Sequence, residues 1–175
     1  MGSRLEEMTL EELWELFPIV LEPHREVWAR WFEEESALLQ SHFPDAVISH
    51  VGSTAVPGIM SKPTVDILME FPSVESMASA ASEMEGIGYI RMSESPRRIS
   101  MNKGYTPSGY AERVFHFHLR VLGDNDEIRF RDKLISKPDV AKEYESLKVK
   151  LAELHKHNRD AYTEGKTEFI LKELS

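Results

Sequence analysis

Residues 64–71 read TVDILMEF, an apolar, partly β-branched run interrupted near its start by one carboxylate. Bounded by Pro63 and Pro72, the run predicts a β-strand. Its period-2 alternation puts Thr64, Asp66 and Leu68 on one face and Val65, Ile67 and Met69 on the other. A carboxylate in such a strand is costly to bury unless a cation, a metal or hydrogen-bond donors satisfy it. Asp66 therefore reads either as half of a structural salt bridge or as a metal-ligating or general-base group at the floor of a cleft.

The segment just upstream sharpens this choice. VISHV at 47–51 predicts a second strand, and Gly52 and Ser53 follow it directly. Glycine permits a tight turn with close backbone approach, so this pair reads as a phosphate cradle or as a plain turn. Lys62, held beside Pro63, is placed to pair with Asp66 or a ligand phosphate, or else to point into solvent. Further on, VFHFHLRV at 114–121 alternates strictly. His116 and His118 share one face while Phe115, Phe117 and Leu119 take the other. Two such imidazoles beside a carboxylate suit a transition metal better than Mg²⁺; the plainer reading is a half-exposed polar face. His50 is read as a third ligand, an acid-base group or a cap. Arg97, Arg98, Arg129 and Arg131 are cations available to an anionic substrate, though lone arginines are usually surface residues.

Around these strands the remaining pattern predicts an α+β chain. Thr9 caps a short amino-terminal helix within residues 1–16 or a little beyond, with Glu12 at the capping-box position. IVL at 19–21 reads as a short strand. Pro23 reads as the first residue of a long helix whose apolar face is Val27, Trp28, Trp31, Phe32, Leu38 and Leu39. Ser73 caps a helix with Gly86 just past its end. Strands are expected at 88–92 and 97–103, followed by a loop, KGYTPSGY. Residues 124–175 read as helices. One carries Val140, Tyr144, Leu147, Leu151 and Leu154 at alternating steps of four and three, a stripe suited to core packing or to a dimer seam.

Composition excludes several function classes. A chain of 175 residues is long enough for a single domain with its own core. Its net charge of −9 argues against a nucleic-acid partner, which needs a basic face. The absence of cysteine excludes thiol catalysis and fits a reducing, cytoplasmic setting. No apolar run is long enough for a membrane span, and the acidic start is unlike a signal peptide. Glu6 breaks the myristoylation pattern. The sequence contains no G-x-S-x-G, no P-loop, no G-x-G-x-x-G and no H-E-x-x-H.

The stretch HVGSTAVPGIMSKPTVDILME resembles the GrpB family of nucleotidyltransferase-like proteins. PIVLEPHREVWARWFEEE, FHFHLRV, FRDKL, YESLK and YTEGKTEFI extend the resemblance over roughly residues 17–172. It implies a nucleotidyltransferase-like fold: a small mixed sheet with packed helices and a helical carboxy-terminal region. It also implies a phosphate-holding turn at Gly52, Ser53 and Thr54, with Lys62 and Arg131 neutralising charge, and a first metal-binding carboxylate at Asp66. The implied ligand is a nucleotide, coenzyme or other phosphorylated small molecule. The superfamily places a second acid two residues after the first and a third on a later strand, where this chain has Leu68 and the pair His116 and His118. One carboxylate with imidazoles does not supply the negative ligands that hold two Mg²⁺ ions ~4 Å apart. The expected metal is thus a divalent ion (Mg, Mn, Zn or Ni) on Asp66, His116, His118 and His50. The readings that follow are a divergent nucleotidyltransferase, a non-catalytic nucleotide-binding module, or a scaffold using its last helices.

Overall fold

The computed structural model describes residues 5–175. The first four residues, into which the expected amino-terminal helix extended, lie outside the described part. Among the described residues the strand and helix signals condense into five strands and six α-helices. Helix α1 (Leu10–Leu16) starts at the Thr9 cap, where the Thr9 and Glu12 side chains bond each other's backbone reciprocally. There follow α2 (Val27–His42), β1 (Val47–Val51), β2 (Thr64–Phe71) and α3 (Val74–Gly86). Next come β3 (Ile90–Ser95), β4 (Arg98–Thr106) and β5 (Gly109–Val121), then α4 (Asp126–Ser136), α5 (Pro138–Leu154) and α6 (Arg159–Leu174). Short 3₁₀ turns cover Leu5–Glu7 and Ser53–Ala55.

The sheet runs in the order β1-β2-β5-β4-β3, and only the β2–β5 pair is parallel. The alternation of β2 decides which layer covers which face. Val65, Ile67, Met69 and Phe71 point into the main core with Phe115, Phe117 and Leu119 of β5. Trp28, Trp31 and Leu39 of α2 and Met77, Ala81 and Met84 of α3 close that core. Burying side chains of this size is worth roughly 1.5–3 kcal/mol each, so register here is strongly specified. The opposite face, carrying Asp66, His116 and His118, is left to the carboxy-terminal helices. These hold together through Phe130 and Tyr144, with Phe169 and Ile170 packed against them. Gly165 lets α6 approach α5 closely, since a Cβ there would lie 2.5 Å from Leu151 Cδ2.

Several elements differ from the sequence expectation for identifiable reasons. The long helix begins at Val27 rather than Pro23, because Glu22 exchanges backbone bonds with Ser61 and keeps that stretch extended. Ile19 is not in a strand; its N–H bonds Lys156 O, and its side chain joins Leu151 and Tyr162. Gly86 is the last residue of α3 rather than the one beyond it. The segment KGYTPSGY is no loop: its breakers occupy a bulge and a two-residue turn of the β4–β5 hairpin. The α5 stripe is packing for Val140, Tyr144, Leu147 and Leu151, whereas Leu154 is exposed.

The bulge rests on Gly104, whose φ of 102° is foreign to other residues and whose added Cβ would lie 2.4 Å from the Arg113 carbonyl oxygen. Because that neighbour is backbone, it cannot move aside. Gly104→Ala is expected to cost about 3 kcal/mol in urea-unfolding free energy, and unchanged stability would contradict the bulge.

Candidate functional site

Parallel pairing of β2 with β5 sets Asp66 opposite His116 and Leu68 opposite His118, all on the face away from the main core. The Asp66 carboxylate accepts from His118 Nε2 at 2.9 Å through Oδ1. Its other oxygen fills the space that a side chain at position 52 would need: a Cβ on Gly52 would lie 2.4 Å from Oδ2. Gly52 also has a φ of 76°, so turn and carboxylate fit only with glycine there. Burial by itself would raise the Asp66 pKa. The His118 hydrogen bond, helped by the neighbouring Lys62 cation, overcomes it and holds the carboxyl well below its usual range.

His116 is pinned from its far side. Its Nε2 lies 2.6 Å from Tyr105 Oη and 3.0 Å from Arg159 Nη2. Guanidinium only donates, so Nε2 is the unprotonated nitrogen and Nδ1–H faces Asp66 at 3.9 Å. Burial, then repulsion from Arg159 and Lys62, keeps this imidazole neutral against the pull of Asp66.

Above this floor stands a group of cations. Lys62 comes from the segment leading into β2, Lys148 from α5, and Arg159 and Lys166 from α6. All four line a cavity of about 1040 Å³ together with Gly52, Ser53, Asp66, His116 and His118. Lys148 is buried and its Nζ lies 2.7 Å from both Ser53 Oγ and Met60 O. The Lys62 and Lys166 ammonium groups sit 5.3 and 4.6 Å from the Tyr162 ring centre. Burial, reinforced by the other cations, lowers Lys62 from its ordinary 10.5 to about 7 and Lys148 likewise to about 7, and lowers Lys166 too. Glu6, Asp160 and Glu164 also line the cavity but are solvent-exposed, so Asp66 is the acid that shares its interior with these cations. Leu13, Trp14 and Phe17, with Ile90 and Met92 of β3, form an apolar wall.

Three residues expected at the site lie elsewhere. His50 pairs with Ile67 in the antiparallel β1–β2 register, so its side chain leaves the Asp66 face. Its ring stacks on Phe32 at 4.9 Å, and its Nε2 lies 2.9 Å from Thr54 Oγ1. Thr54 is buried in that contact. Arg131 of α4 donates to the His50 carbonyl at 2.9 Å and pairs with Asp132. These three form a brace between β1, the 3₁₀ turn and α4. Of the other arginines weighed for anion binding, Arg98 pairs with Asp124 and Arg129 with Asp126.

The donor set does not fit the expected divalent ion. Among the described residues no group of three His, Asp or Glu side chains is arranged to hold a metal. His118 and His116 both turn N–H groups toward Asp66, whereas a ligating imidazole presents a lone pair. Glu70, the next acid on the strand, accepts from Gly123 N at 3.0 Å and Asn125 Nδ2 at 3.1 Å. The cations missed in the sequence carry a readable signal: YESLK and YTEGK both set a lysine four residues after a tyrosine. That spacing stacks the two on one helix face.

The described geometry matches a known class. The chain shares its fold with the Cid1 poly(U) polymerase at a TM-score of 0.52 and 11% identity, over 82% of this chain and 44% of the polymerase. This is a nucleotidyltransferase-like fold. Residues 18–175 match the family described as GrpB protein, and the chain belongs to that family. The GrpB crystal structure from Enterococcus faecalis superposes at a TM-score of 0.69 with 26% identity, covering 89% of this chain and all of that one. Glutamate-rich protein GrpB of Alkalihalophilus pseudofirmus is 34% identical over 161 residues, 87% of this chain and 91% of that protein. A UPF0157 protein of Pseudomonas aeruginosa is 36% identical over 155 residues, 86% of this chain. This chain spans only 64% of the Pseudomonas relative and 43% of its Bacillus subtilis counterpart YqkA.

Lys62 supplies a direct test of this electrostatics. Its pKa is lower in the folded than in the unfolded chain, so unfolding takes up a proton between about pH 7 and 10.5. The penalty for charging it is therefore full below about pH 7 and fades as pH rises toward 10.5. Lys62→Met is expected to stabilise the ligand-free protein on the order of 1 kcal/mol or more at pH 6. The gain should shrink on raising the pH to 9, as read by denaturant unfolding. Destabilisation at pH 6 would contradict the strained-cation account.

Proposed function

We propose that the chain binds a nucleotide or a similarly phosphorylated small molecule, with the phosphates held by Lys62, Lys166 and Arg159 and the organic part along the apolar wall. One observation carries this reading: an acidic chain of net charge −9 encloses a cluster of cations facing a single interior carboxylate. Half-buried lysines without an anionic partner destabilise a fold, and an incoming anion supplies what Lys62 and Lys166 lack. The cavity suits a ligand of nucleotide size. The shared fold supports the same ligand class, since a Cid1 structure of TM-score 0.51 is described as bound to Mg 3'-dATP. At 10% identity the likeness extends to the fold alone.

Within this reading the residues divide their tasks. Lys62, at about 7 in the free protein, is charged by the arriving phosphate, and Lys166 pairs with it. Arg159, oriented by its bond to His116 and by the Tyr105 ring at 5.2 Å, offers its remaining N–H donors. Asp66 excludes a second anion from the floor and keeps the Gly52 turn in place. Leu68 stands where a second metal-binding acid is expected, which favours binding over two-metal nucleotidyl transfer.

Isothermal titration with ATP and with inorganic tripolyphosphate, each in EDTA and in Mg²⁺, tests the proposal. Binding is expected in EDTA, and Lys166→Met or Arg159→Met should weaken it about tenfold or more. No heat from any phosphorylated compound, or binding indifferent to both substitutions, would overturn it.

A further inference from the structure

The pair Ser53 and Lys148 has no part in the binding scheme above. We propose that Ser53 is a nucleophile for acyl transfer, with the Lys148 amine as its general base. Lys148 Nζ stands 2.7 Å from Ser53 Oγ and 2.7 Å from Met60 O. As an ammonium Lys148 donates to both oxygens, and on losing its proton the neutral amine keeps both contacts. It donates one N–H to the Met60 carbonyl and accepts the Ser53 O–H on its lone pair. The carbonyl contact fixes the amine's orientation, as the third member of a nucleophile–base–orienter arrangement does. Lys148 is 2% exposed, so water does not compete for that lone pair. Ser53 lines the cavity, so its hydroxyl is open to a ligand on one side and to the amine on the other.

The surroundings suit a base at neutral pH. Burial, followed by repulsion from Lys166, brings Lys148 down to about 7 against the opposing pull of Glu145 and Asp66. The Tyr144 ring lies 5.0 Å from the Lys148 ammonium, and burial keeps its phenol protonated as a donor.

The step balances without a further reagent. Oγ attacks the carbonyl carbon of an ester, forming a C–O bond, while its proton passes to Lys148 Nζ. The bond to the leaving alkoxide breaks, and that oxygen takes the proton from Lys148. Water then attacks the acyl-serine, giving its proton to Lys148 and releasing the carboxylic acid as Ser53 recovers its hydrogen.

p-Nitrophenyl acetate, an ester without phosphate, tests this independently of anion binding; its failure leaves the titration above unaffected. The expected result is a burst of p-nitrophenolate and a protein mass increased by one acetyl group, mapped to Ser53 by peptide sequencing. In the unmodified chain the burst rate should rise through about pH 7 and level off above it, as Lys148 loses its proton. Ser53→Ala and Lys148→Met should each abolish the burst, and the pH profile of the unmodified chain serves if the lysine variant does not fold. An acetyl group found on Lys62 or another amine, a burst retained in Ser53→Ala, or no burst at pH 8.5 would overturn the proposal.

Discussion

The Asp66 carboxylate ties together the turn, the sheet and the cavity. One oxygen lies where a side chain at position 52 would stand, and the other accepts the His118 bond at 2.9 Å. That double engagement fixes β1, the Gly52 turn and β2 against β5, the parallel partner across the sheet. Because the turn is fixed, Ser53 is held against Lys148 at the edge of the cavity. Asp66 stays ionised, and among the described residues lining the cation-rich cavity the other acids, Glu6, Asp160 and Glu164, are exposed.

The distribution of charge is the second consequence. Stability alone would place lysines at the surface and keep acids and bases paired. This chain pairs many of its surface charges, for example Arg91 with Glu85 and Arg98 with Asp124, yet encloses Lys62, Lys148 and Lys166 with a deficit of acids. Each of the three has its pKa lowered by burial, reinforced by Lys166 at Lys62 and Lys148 and by Arg159 at Lys166. A cluster that works against folding is understandable where it works for a ligand.

Much of the sheet was legible in the sequence, and the site only in part. TVDILMEF and VFHFHLRV announced both faces of the two central strands, so Asp66, His116 and His118 were placed on one face correctly. Their role as metal ligands did not follow, because nothing in a strand pattern reveals which imidazole nitrogen carries hydrogen. His50 was misplaced because its face depends on register with β2, where it pairs with Ile67, and one strand does not encode its partner's offset. KGYTPSGY concealed a hairpin since glycine and proline mark bulges and turns as readily as loops. Lys148, Arg159 and Lys166 reach the site from helices some 80–110 residues further along the chain, beyond any local pattern. The repeated Tyr-x-x-x-Lys was the one local trace of the two lysines.

The central claim is that partly discharged, enclosed lysines await a phosphorylated anion. Its most direct measurement is proton uptake on ligand binding, obtained by titrating tripolyphosphate at pH 8 in buffers of different ionisation enthalpy. Lys62, at about 7 in the free protein, must gain a proton when the anion arrives, so the account predicts net uptake that Lys62→Met diminishes. Binding with no proton uptake, or uptake unchanged in Lys62→Met, would contradict it.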